Sequence, residues 1–142
     1  MRPLIVILAA IFLTGCHESG TWKDDPRNWR RIFKVDKPAD ITVAHSWFWR
    51  SPHFTYEYEY YLQVKKHPDF QKRLLAMNPM TEVSGEEQLR KTIAWSRQRP
   101  DWFAPEPIAQ YQVWVYSNAP NSDFRLLIDR ATGDLFVSDR QL

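Results

Sequence analysis

One cysteine and four glycines are all that 142 residues supply of either type. A lone thiol closes no disulfide within the chain, so the fold has to rest on a core rather than on bridges. Four glycines leave no glycine-rich loop to cradle a phosphate, and the sequence has neither a Gly-x-Ser-x-Gly elbow nor a His-Glu-x-x-His helix. Charge of one sign is lacking too. The 19 Lys and Arg against 17 Asp and Glu give a formal net charge of +2, which supplies no general pull toward nucleic acid. The one apolar run at the start, Leu4 to Leu13, is about half the roughly 20 residues that span a bilayer core. His17-Glu18-Ser19-Gly20 follows close behind it, so the run reads as a signal to be removed.

The run ends in Leu13-Thr14-Gly15-Cys16. These residues resemble the lipobox of bacterial lipoprotein precursors: a branched apolar residue, two small residues, then the cysteine that receives diacylglycerol before cleavage in front of it. The resemblance implies a signal peptide over 1–15, a lipidated tether over 16–24 and a single domain over 25–142. A thioether-linked Cys16 is no nucleophile, metal ligand or half-cystine. At about 0.8 kcal/mol per buried methylene, two or three acyl chains anchor the protein in effect permanently. His17 stands where enteric lipoproteins retained at the inner membrane carry Asp, which implies the periplasmic face of the outer membrane.

Within the domain, Asp25-Pro26 reads as a helix start, with Asp25 as N-cap and Pro26 at the first helical position. Trp29, Ile32 and Phe33 fall on one side of that helix, and Arg27, Arg30, Arg31 and Lys34 mostly on the other, a solvated face that can also touch anionic headgroups. Residues 41–49 alternate, placing Ile41, Val43, His45, Trp47 and Trp49 on one face and Thr42, Ala44, Ser46 and Phe48 on the other. A second alternating run puts Phe54, Tyr56, Tyr58, Tyr60, Leu62 and Val64 opposite Thr55, Glu57, Glu59, Tyr61, Gln63 and Lys65. A tight Ser51-Pro52 connection makes the two a hairpin of about ten residues per strand.

His67-Pro68-Asp69 then caps a helix from Phe70 to Met77, with Phe70, Leu74 and Met77 at helical spacing. Ser84-Gly85-Glu86-Glu87 fits a capping box for another helix running to Arg97. Three prolines make Arg99 to Pro107 an extended connector, pinned to the body by Trp102-Phe103. Strands at Tyr111–Ser117, Phe124–Asp129 and Leu135–Ser138 close the chain, with Gly133 supplying a positive φ in the last turn. The order predicts an α+β domain: an antiparallel sheet of about five strands with helices on one face. Tyr111-Gln112-Val113-Trp114-Val115, with Leu127-Ile128-Asp129 and Thr132-Gly133, resembles the closing hairpin of PepSY-type periplasmic domains and of several small immunity proteins with cystatin-like or NTF2-like sheets.

Chemistry has few candidates. His17, His45, His53 and His67 include no i,i+4 or His-x-His pair, so no metal is expected. His45 and His53 fall on adjacent strands within reach of Glu57 or Glu59, but His45, between Val43 and Trp47 on the apolar face, reads as a satisfied core histidine. Glu57 and Glu59 share one strand face, as carboxylates on a solvated face commonly do. The expectation is a protein without catalysis or cofactor.

What is abundant is aromatic: seven Trp, six Tyr and eight Phe. Trp47 and Trp49 cannot share a side with Phe48, so one large ring lies outside the core unless both sheet faces are covered. Trp47, Phe48, Trp49 and Trp102 are therefore candidate binding residues, either core filling or contact surface. The expected function is a lipid-anchored, periplasm-facing binding domain acting on a protein partner in the envelope, in the manner of an inhibitor or immunity lipoprotein. The alternatives are an envelope glycan binder, with Trp47, Trp49 or Trp102 stacked on sugars, and an outer-membrane assembly accessory.

Overall fold

Period-two alternation in the middle of the chain builds the centre of a seven-stranded sheet. The computed structural model describes residues 18–52, 55–85, 87–89, 96–119 and 122–142. Its elements are β1 Gly20–Lys23, α1 Asn28–Phe33, β2 Val43–Arg50, β3 Tyr58–Val64, α2 Pro68–Met77, β4 Met80–Val83, a 3-10 turn Ile108–Gln110, β5 Tyr111–Tyr116, β6 Arg125–Asp129 and β7 Leu135–Gln141. The strands lie in the order β1-β2-β3-β7-β6-β5-β4, every pair antiparallel. The chain is thus an α+β fold, but with seven strands rather than five. The two added strands are the edges, each of four residues. Neither Gly20-Thr21-Trp22-Lys23 nor Met80-Thr81-Glu82-Val83 has enough apolar alternation to announce itself. Each is held by the ladder of its longer neighbour.

The predicted hairpin is β2 and β3, with Phe48 opposite Tyr60 and Trp49 opposite Glu59. Its connection is longer than Ser51-Pro52. The Ser51 amide donates to the Glu57 carbonyl at 3.1 Å, and the strand proper resumes at Tyr58. Alternation in β2 is also not continuous, because the register shifts between Val43 and His45. A bulge of this kind reverses the faces on its two sides. Ile41 and Val43 therefore join Phe48 in one core cluster, while Trp47 and Trp49 belong to the other.

Both sheet faces are covered. One carries Trp29 of α1 and Phe70 and Leu74 of α2 against Phe48, Tyr60, Leu62, Val64, Leu126, Leu135 and Val137. Leu62, Val64, Leu126, Leu135 and Val137 have no exposure, and each such side chain stabilises the fold by about 1.5–3 kcal/mol. The opposite face packs Trp47, Tyr61, Tyr111, Val113, Leu127 and Phe136 under Phe103 and Ala104 of the connector, with Leu89 and Ile108 at its margin. Phe103 has no exposure, so the connector is pinned as its sequence predicts.

The helix starts illustrate how local polar groups set boundaries. Asp25 Oδ1 accepts from the Arg27 amide at 2.8 Å, which makes a turn before the helix, and α1 begins later, at Asn28. At its far end Lys34 sits in the left-handed region, φ 61°, and donates its amide to the Arg30 carbonyl at 2.9 Å. For α2 the His67 Nδ1 accepts from the Phe70 amide at 3.1 Å and Pro68 takes the first position. Phe70 and Leu74 turn inward, but Met77 at the helix end is exposed. Of the helix expected over 84–97, residues 87–89 are helical, 84–85 and 96–97 are not, and 86 and 90–95 lie outside the described residues.

Candidate functional site

Of the four aromatic candidates, two are core. Trp47 is 7% exposed and Phe48 4%, on opposite faces: Trp47 lies 5.7 Å from the Tyr61 ring and Phe48 6.0 Å from Trp22. Covering both faces removes the need for either ring to reach solvent, so neither offers a contact surface. Trp49 and Trp102 keep partial exposure. The Trp102 ring stacks on His45 at 5.2 Å and 27°, and meets Phe103 edge-on at 5.9 Å.

His45 is not the core histidine expected. Its side chain is 45% exposed, with Nδ1 3.5 Å from Asp24 Oδ1. The bulge turns it out of line with Val43, and Asp24 reaches it from the end of β1, where the same oxygen accepts from the Ser46 amide at 2.8 Å. His67 bonds at both nitrogens: Nδ1 accepts, as above, and Nε2 carries the hydrogen toward Asp40 Oδ2 at 3.1 Å. That contact lowers the Asp40 carboxyl below its usual value. His17, His53 and Cys16 lie outside the described residues.

Glu59 overturns the solvated-face expectation, since it is 4% exposed. Tyr61 donates its hydroxyl to Oε1 at 2.6 Å and Ser96 donates to Oε2 at 3.2 Å. Burial, and then the bond to Glu59, raises the Tyr61 hydroxyl above its ordinary value. Arg140 stands opposite Glu59 on β7 and donates Nε to Asp123 Oδ2 at 3.0 Å, a bond that raises its guanidinium. Ser96 lies 37 positions further along the chain, so no local pattern reveals this contact. Glu57, by contrast, is half-buried and accepts from the Thr55 hydroxyl at 3.0 Å.

A second arrangement, beside α1, was only half legible. The Tyr56, Tyr58, Tyr60 row stands out in the sequence, but a last strand read as ending at Ser138 leaves out Asp139. In the fold β7 continues to Gln141, and Tyr58 donates its hydroxyl to Asp139 Oδ2 at 2.9 Å. With Arg31, Lys34 and Phe48 these residues line a cleft of about 320 Å³ between α1 and the sheet. Burial raises the Asp139 carboxyl above its usual value, and burial with the neighbouring Asp139 charge raises Tyr58.

Among the described residues no group of three or more His, Cys, Asp or Glu is placed to hold a metal ion, and no helix is long and apolar enough to cross a membrane. Comparison of the chain with family models, with curated proteins and with solved structures finds no match in any of the three.

Proposed function

We propose that this protein is a lipid-anchored, periplasm-facing binding domain that acts without catalysis on a protein partner at the membrane, as inhibitor and immunity lipoproteins do. The observation that supports this reading is the position of β1. The sheet begins at Gly20, four residues after Cys16, so a lipid on Cys16 holds the body within about 14 Å of the bilayer at full extension. A body held so near the membrane meets partners that are themselves at that surface. Of the four candidate rings, Trp49 and Trp102 are the two that keep partial exposure, Trp102 stacked on His45.

The test has two arms. Metabolic labelling with a palmitate analogue is expected to mark the wild type and to leave Cys16→Ser unlabelled and uncleaved; equal labelling of both ends the anchor argument. Photocrosslinking from position 102 in intact cells is expected to give one discrete protein adduct. No adduct, together with a shift of tryptophan emission on adding peptidoglycan fragments, would move the reading to a glycan binder. Specific recovery of a barrel protein would move it to an assembly accessory.

A further inference from the structure

Three cations on and just before α1 are compensated: Arg27 and Arg31 by Asp25, at 3.0 and 3.2 Å, and Arg30 by Asp36 at 3.6 Å. Lys34 and Arg50 have no carboxylate partner among the described residues, and both close on one ring. Lys34 Nζ donates to the Tyr56 hydroxyl at 2.9 Å and to the Arg31 carbonyl at 2.7 Å, while the Arg50 guanidinium stacks on the Tyr56 face at 4.4 Å. An ammonium has three N–H donors, so one remains on Lys34. Tyr56 itself is 41% exposed. Lys34 and Tyr56 line the cleft, and Arg50, against the Tyr56 face, brings a second cation to its edge; neither cation has a counter-anion among the described residues.

Further in, the charge reverses. Asp139 is half-buried beside the Tyr58 and Tyr60 rings, which lie nearly parallel at 12° and 6.1 Å. A half-buried carboxylate is costly unless a cation or several donors meet it; Tyr58 and the Arg140 amide donate to it, and Arg125 acts on it only through its field. A simple anion drawn to Lys34 and Arg50 is repelled by Asp139, and a simple amine drawn to Asp139 and the tyrosine faces is repelled at the mouth. A ligand that carries both charges a few bonds apart satisfies both ends, and aromatic faces are suited to its cationic end.

We propose that this cleft binds the zwitterionic phosphoamine headgroup of a membrane phospholipid, the phosphate between Lys34 and Arg50 and the ammonium against Asp139 and the Tyr58 ring. The choice of a lipid rests on the anchored reading above. Gly20, Arg50, Tyr58 and Gln141 stand in register across β1, β2, β3 and β7, so the cleft opens at the sheet end from which the anchor leaves. Arg31, on the cleft wall, lies 3.6 Å from Glu18, and Cys16 precedes Glu18 by two residues, a backbone reach of about 7 Å from Glu18. The headgroup chemistry itself stands on the cleft alone.

The test titrates the full chain carrying Cys16→Ser, in a polyoxyethylene detergent, with O-phosphoethanolamine, inorganic phosphate or ethanolamine, and follows heat. Phosphoethanolamine is expected to bind about tenfold tighter than either half. Lys34→Asn, which suits a left-handed backbone, and Asp139→Asn are each expected to lose about tenfold. If Asp139→Asn fails to fold, the exposed Lys34→Asn decides. Phosphate binding as well as phosphoethanolamine, no binding of either, or unchanged affinity in Lys34→Asn overturns the proposal. In a second arm the same protein is mixed with phosphatidylglycerol vesicles with and without phosphatidylethanolamine. Added phosphatidylethanolamine is expected to raise the bound fraction, and no rise overturns the lipid assignment. Because the titrated chain carries no lipid, failure here leaves the anchor standing, and an unacylated Cys16 leaves the headgroup titration standing.

Discussion

Tyr61 and Glu59, two residues apart on one face of β3, share a 2.6 Å hydrogen bond in which the tyrosine donates and the carboxylate is buried. Removing the donor leaves a buried charge with fewer partners. Tyr61→Phe is expected to cost about 1–3 kcal/mol by urea unfolding, and Glu59→Gln less, because its amide still accepts from Tyr61. An unchanged midpoint in Tyr61→Phe would mean that water serves the carboxylate equally well.

Gly133, at φ +76°, closes the β6–β7 turn and donates its amide to the Asp129 carbonyl at 2.8 Å. A Cβ there would lie 2.9 Å from Lys66 Cδ. The lysine can move, whereas the backbone strain stays. Gly133→Val is expected to cost about 1–3 kcal/mol, and Gly133→Asn clearly less, in thermal melts.

Asp25 accepts from the Arg27 amide and guanidinium and from Arg31, and the Arg27 contacts hold its carboxyl at about 2 against an ordinary 3.8. A lowered native value means stability present above pH 3.8 and lost as pH falls through about 2. Asp25→Asn is expected to unfold at lower urea than wild type near neutral pH, with the gap closing as the pH approaches 2. Asp139 acts with the opposite sign, since its raised value favours the protonated native form and stability is lost as pH rises through it. A gap that persists at low pH would place the role of Asp25 in packing, not charge.

Phe103 stakes the connector to the sheet through ring contacts with Tyr61 at 4.8 Å and Phe136 at 5.6 Å. With no exposure to lose, Phe103→Ala is expected to cost about 3–5 kcal/mol by chemical denaturation. A loss below about 1 kcal/mol would show that the connector collapses to fill the space.

The central hairpin was legible because Tyr58, Tyr60, Leu62 and Val64 alternate without interruption and bury one face. The bulge at Val43 to His45 was not, since the residues there alternate in sequence and only pairing with β3 shows the shift. His45 was misplaced for that reason. The edges β1 and β4 are held by cross-strand bonds rather than by apolar pattern, which a reading of side chains alone passes over. Glu59 and Asp139 were missed because burial is a tertiary property: Ser96 and Phe103 roof the first face, and α1 walls the other.

Gly20 and Gln141 lie at the same end of the sheet, while the Ala131-Thr132 turn lies at the far end. With the chain acylated at Cys16, a reporter fused after Leu142 would be pressed toward the lipid and compete with it for room. A small epitope spliced between Ala131 and Thr132 would instead project into the aqueous space and serve as the better handle for immunodetection on intact spheroplasts.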